Sequence, residues 1–222
     1  MKSRIEGRPA FAYLQLTLEP GESIVAESDA MASMSAELDL RTRLNGGFWR
    51  GLMRRYLGGE SLFINRFSNA TQQPRTLTLV QPTPGDILCR ELAAGETYYL
   101  QPGAFLAADD SVTLGLKWAG WVSWIAREGL FKIAVAGPGR VWYGSYGALL
   151  ERMLDGEMIV DTSHLVAYEP GVNLRLQLAG GIFSSILGGE GLVTRLSGKG
   201  KYIIQTRSLP GLSGWINPKL WG

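Results

Sequence analysis

The sequence predicts an all-β protein built from three tandem β-units, and three observations carry that expectation. Glycine is in excess, with 29 in 222 residues against the ~7% of an average chain. Short alternating runs of β-branched and aromatic residues stand between Gly, Pro and Asn turns, which is the pattern of strands. One ordered set of landmarks then occurs three times along the chain, and recurrence at a long period marks repeated units. With 45% hydrophobic and 19% charged residues, the composition is globular and the length is ample for a core.

The three copies open on Gly21-Glu22-Ser23-Ile24-Val25, Gly95-Glu96-Thr97-Tyr98-Tyr99 and Gly156-Glu157-Met158-Ile159-Val160. Turn chemistry follows each at the same distance: Ser28-Asp29, Pro102-Gly103 and Ser163-His164. Next come Gly46-Gly47, Ala119-Gly120 and Gly180-Gly181, and then Glu60-Ser61-Leu62-Phe63, Glu128-Gly129-Leu130-Phe131 and Glu190-Gly191-Leu192-Val193. Strand-like runs at 75–80, 141–146 and 202–206 close the copies. The units are therefore placed at 1–80, 81–150 and 151–222. A unit of this size has a marginal core alone, so the three are expected to pack together around a pseudo-threefold axis. His164 falls where the other copies carry Asp29 and Gly103, and a turn position explains it. Gly198-Lys199-Gly200-Lys201 reads as a hairpin turn.

Between the paired glycines and the Glu landmark the period changes. Phe48, Trp49, Leu52, Met53, Tyr56 and Leu57 fall on one half of a helical wheel, with Arg50, Gly51, Arg54 and Arg55 on the other,. The third unit repeats this in short form through Ile182, Phe183, Ile186 and Leu187. In the second, Trp121, Val122 and Ile125 share a face that Trp124 leaves. Ten-residue helices need a surface to dock on. Two placements stay open: the arms cap their own β-units, or they present aromatic residues to a membrane interface or a partner protein.

Charge is uneven although the net charge is +2. Residues 21–40 hold five acids and no base, residues 41–59 five arginines and no acid, and the chain after Glu190 five bases and no acid. Arg50, Arg54, Arg55, Lys199, Lys201 and Arg207 are accordingly candidate contacts for phosphates of RNA or lipid headgroups. The alternative is that acidic and basic strands pair on the surface.

Chemistry is hard to find. One His and one Cys leave no metal cage, and Cys89 suits a reducing compartment. No phosphate-binding loop or nucleophile elbow is present. No catalytic residue, cofactor or metal is assigned, and the expected protein is not an enzyme. The longest uncharged stretch, 176–189, is too short for a spanning helix. The expected location is the cytoplasm, extending to the inner face of the membrane.

The run from Gly21 to Met34, the run from Leu57 to Phe63 and Gly189-Glu190-Gly191-Leu192 together resemble the altered-inheritance-of-mitochondria protein 24 family. The resemblance extends from about Ile5 to Arg207. It implies three tandem units of the fold of the trp RNA-binding attenuation protein, a short double-stranded β-helix. It also implies a homotrimer, a ring of nine such units. Family members include a fungal protein associated with the mitochondrial inner membrane and bacterial proteins without an established activity, so no site residues carry over. The expectation is a non-enzymatic ring scaffold that contacts a membrane surface or partner protein. An RNA-binding ring is the alternative, weakened because the basic residues do not repeat from unit to unit.

Overall fold

The computed structural model describes residues 1–43, 64–118, 131–178 and 192–220. Within them the chain is all-β, with one α-helix near the C-terminal end. The strands are β1(Lys2–Glu6), β2(Tyr13–Leu18), β3(Ser23–Glu27), β4(Met31–Met34), β5(Asp39–Arg43), β6(Ile64–Ser68) and β7(Arg75–Val80). They continue as β8(Ile87–Leu92), β9(Thr97–Leu100), β10(Phe105–Asp109), β11(Thr113–Trp118), β12(Phe131–Ala136) and β13(Gly139–Gly144). The last four are β14(Leu149–Asp161), β15(Leu165–Tyr168), β16(Val172–Leu178) and β17(Leu192–Gln205), and the helix α1(Leu209–Leu220) follows.

The strand ladders are antiparallel and form three sheets. Their orders are β1-β2-β7-β4, then β5-β6-β3-β10-β13-β8, then β11-β12-β9-β15-β17-β14 with β16 beside β17. Simple alternation sets the first sheet: Leu14, Leu16 and Leu18 point inward from β2, and Leu77 and Leu79 do so from β7,. The central strands of the second and third sheets are different. Four of the five residues of β10 are buried, as are the last four of β13 and all of β15. These strands are covered on both faces, so their sequences are continuous apolar runs rather than alternating ones.

Trp142 illustrates the double burial. It lies in the first core with Leu14, Leu77 and Phe67, whereas its neighbours Val141 and Tyr143 lie in the second core with Tyr98, Leu100 and Ile133. A third core gathers Leu154, Leu165, Tyr168, Leu196 and Tyr202. The middle sheets thus serve as shared walls. Arginines fasten the same junctions. Arg66 on β6 donates to Asp110, beyond β10, at 2.6 Å, and Arg90 on β8 donates to Glu169, beyond β15, at 3.0 Å.

One expectation is corrected by the strand register. The turn expected at Gly198-Lys199-Gly200-Lys201 is not a turn, because β14 and β17 run paired without interruption from Leu149↔Gln205 to Asp161↔Val193. Gly156 and Gly198 face each other in that ladder at φ +114° and +109°. A Cβ on Gly198 would lie 2.4 Å from the Gly171 carbonyl oxygen. The glycines let the ribbon depart from ordinary strand geometry without breaking it. Gly156-Glu157 is therefore mid-strand, while Gly21 and Gly95 occupy turns at φ +82° and +81°. Among the described residues no ladder joins β4 to β14, so the described sheets form an open series.

Because β10 is buried on both faces, Leu106→Ala and Phe105→Ala are each expected to cost about 2–5 kcal/mol. Phe11→Ala, at a residue 74% exposed, should stay within about 0.5 kcal/mol. Urea midpoints at constant m-value check both.

Candidate functional site

The residues singled out in the arms, Phe48, Trp49, Leu52, Met53, Tyr56, Trp121, Trp124, Ile182, Phe183 and Ile186, lie outside the described residues. So do Arg50, Arg54 and Arg55. What the structure gives is the strands that flank them. Arg43 is opposite Ile64, Trp118 opposite Phe131, and Leu178 opposite Leu192. Each segment therefore leaves and re-enters the fold at the matched ends of two paired strands.

The basic C-terminal residues are placed. On β17, Lys199 donates to Asp155 at 3.2 Å and Lys201 to Glu151 at 2.8 Å, and the nearby Arg195 donates to Glu157 at 2.9 Å. This is the antiparallel pairing of an acidic strand, β14, with a basic one. Arg207 is exposed just past β17, and its backbone N–H donates to the Tyr146 carbonyl. Two of the acids of 21–40 have partners: Glu22 accepts from the Glu19 N–H and the terminal amine, and Glu37 lies 3.6 Å from Arg75.

His164 ends a short 3-10 turn, Thr162–His164, that follows β14. Its Nδ1 lies 2.7 Å from the Gln205 carbonyl oxygen, and the Gln205 side chain donates to the Ser163 carbonyl. It serves the turn, as the sequence indicates. Among the described residues no group of three or more His, Cys, Asp or Glu is placed to hold a metal ion. No described helix is long and apolar enough to cross a membrane.

Two strand edges stand out. Most strands of the two larger sheets pair on both sides, as β3 does with β6 and β10, and β9 with β12 and β15. β1, β5, β8, β11 and β16 have one partner each, and likewise β4 pairs only with β7 and β14 only with β17. Both edges carry apolar side chains in water: Met31 is 38% exposed, Met158 48% and Ile159 54%. Unpaired edges with apolar residues are templates for another strand.

Sequence reasoning missed α1. Its signals are local. The Ser208 Oγ accepts from the Gly211 N–H at 3.2 Å, and the Leu212 N–H donates to the Ser208 carbonyl at 3.0 Å. This is a serine N-cap followed by a proline in the first turn. No residue of the helix is buried, and Leu209, Trp215 and Leu220 are exposed.

Electrostatics elsewhere serve the fold. Glu96 caps its own turn by accepting from the Ala93 N–H at 3.0 Å, and it also accepts from Arg90 at 2.7 Å. The Arg90 hydrogen bond, with that N–H, holds its carboxyl below the usual range. Cys89 is exposed on β8, and the partial desolvation of its thiol pushes its pKa up to about 11, which favours the protonated form at neutral pH.

Three comparisons place the chain among known proteins. The family model described as "Mitochondrial biogenesis AIM24" matches residues 3–207. An uncharacterised protein of Streptococcus pyogenes serotype M6 is 30% identical over 225 residues, covering 97% of this chain and 90% of that protein. An X-ray crystal structure of a Streptococcus pyogenes protein superposes with a TM-score of 0.81 at 30% identity, covering 98% of this chain and 99% of that one.

Glu96→Gln should lower stability by about 1 kcal/mol or less at neutral pH, since the pair is partly exposed. A lowered carboxyl pKa gives stability that is present above the ordinary carboxylate value, about 4.3, and is lost as pH falls through the folded value. The gap between wild type and variant in urea midpoint should therefore be constant above about pH 5 and shrink below about pH 4.

Proposed function

The chain belongs to the AIM24 family, and from that premise we propose that it is a non-enzymatic, ring-forming scaffold. Its unit is the short double-stranded β-helix of the trp RNA-binding attenuation protein, taken three times per chain. The recurrent strand pairing supports this. The ladders β2–β7, β3–β6, β5–β6 and β4–β7 have counterparts in β8–β13, β9–β12, β11–β12 and β10–β13. The third set merges into β14–β17, β16–β17 and β15–β17. Register irregularities fall at matching places, between Met31 and Ser33, Phe105 and Ala107, and Leu165 and Ala167.

The observation that carries the ring is the pair of half-satisfied edges. Between neighbouring units, Ala108 lies opposite Val25, and Tyr168 opposite Tyr99. The same register applied between chains puts Met34 of one copy opposite Ile159 of the next, and Ser33 opposite Val160. Such a head-to-tail contact is heterologous and must close into a ring or grow into a fibre. A homotrimer of nine units is the ring expected.

The scaffold meets a membrane surface, or a protein on it, through the aromatic arms, at the cytoplasmic face. Multiplying three weak arms by three chains supplies avidity. The RNA-binding alternative draws less support, because Lys199 and Lys201 already face carboxylates.

Three measurements test this. In native mass spectrometry the wild type should appear at three times 24.2 kDa, and Ile159→Asp, a change at an exposed residue, should appear as a folded monomer. A monomeric wild type overturns the ring. Phe48→Glu with Trp49→Glu should reduce flotation with liposomes in a folded trimer, and unchanged flotation overturns the arm contact. Tight, steeply salt-dependent binding of single-stranded RNA would restore the alternative.

A further inference from the structure

We propose that α1 is an interfacial anchor that lies in the headgroup layer of an anionic lipid membrane. The helix has a stability problem that the chain itself does not solve. A 12-residue helix is marginal in water, and this one contains Gly211, Gly214 and Pro218 and buries no residue against the β-body. Glycine and an interior proline both weaken a helix. Its stabilisation must come from outside the described fold.

The helix specifies the chemistry of its surroundings. Leu209, Leu212, Trp215, Ile216 and Leu220 fall within about 140° of a helical wheel at 100° per residue. The opposite side holds Gly, Pro, Ser and Asn, and neither side carries an acid. Lys219 places Nζ 4.1 Å from the centre of the Trp215 ring and donates to the Trp215 carbonyl at 2.9 Å. A tryptophan with a lysine over it is an amphipathic pair suited to the headgroup layer. At about 18 Å the helix is too short to cross a ~30 Å hydrocarbon layer, so it lies in the plane of the interface.

Charge favours an anionic lipid surface over an acid-free partner. After Glu190 the chain has five bases and no acid. Arg195, Lys199 and Lys201 are paired with β14. Among the described residues no acid forms an ion pair with Arg207 or Lys219, which bracket the helix. Position agrees as well. Gln205, just before the helix, is tied to Ser163, to His164 and to the Tyr146 N–H. The Ser163 turn follows Asp161, which faces Val193 where segment 179–191 rejoins the fold. The helix therefore departs from the end of β17 that is tied to the Ser163 turn.

This inference rests on the membrane reading above, and the experiment separates the two. Full-length protein is floated with vesicles of phosphatidylcholine containing 30% phosphatidylglycerol, and with phosphatidylcholine alone. Trp215→Glu with Leu220→Glu is expected to lower the floated fraction about tenfold on anionic vesicles, with thermal melting and oligomeric mass unchanged. Lys219→Gln should lower it less and only at low salt. Equal flotation of wild type and the double variant, with loss only in Phe48→Glu/Trp49→Glu, overturns the anchor but leaves the membrane reading standing. No flotation of the wild type overturns both. A fall in oligomeric mass in the helix variant also overturns the anchor, because the helix would then dock on a second copy.

Discussion

Backbone hydrogen bonding across strand edges is the constraint from which the rest of this structure follows. A strand buried on both faces and paired on both edges has nothing left to satisfy, and β10 meets that condition between β3 and β13. Its insertion joins strands on either side into one sheet that serves as a wall of two cores. Apolar burial supplies the driving force, but the edges decide which faces are brought together. Trp142 and Tyr143 can serve different cores only because β13 has a core on each side.

The same rule, applied where it fails, yields the functional reading. The series begins at β4 and ends at β14, and at both places a strand lacks its second partner while exposing methionine or isoleucine. A natural protein normally blunts such edges with charge, proline or a covering loop. Here the two edges match each other in the register that the interior junctions use. In the proposed ring, self-assembly is a continuation of the folding scheme.

Several polar groups among the described residues tie elements of the fold together. Glu96 fixes a turn, Arg90 and Arg66 bridge junctions, and the lysines of β17 balance the acids of β14. Against that background α1 is the exception: a capped helix with exposed tryptophan and leucine and no buried residue. One side of it is apolar with Lys219 set among those residues, and the other is uncharged.

The sequence by itself determined the class of the fold. Glycine content, period-2 runs and the thrice-ordered landmarks describe strands and turns because those patterns follow from local backbone sterics and one-sided burial. The turn role of His164 was legible for the same reason, since Asp29 and Gly103 occupy matching places. Tertiary structure decided what local pattern cannot encode. Whether Gly156 and Gly198 make a turn or a bend in a long ribbon depends on the strand opposite, and the ladder from Leu149 to Asp161 chose the bend. Lys199 and Lys201 look like a basic patch in sequence, but antiparallel pairing sets acids 44 and 50 positions away beside them. The open ends at β4 and β14 were invisible for a like reason: an unpaired edge is the absence of a neighbour, and only the assembled sheets show which neighbour is missing.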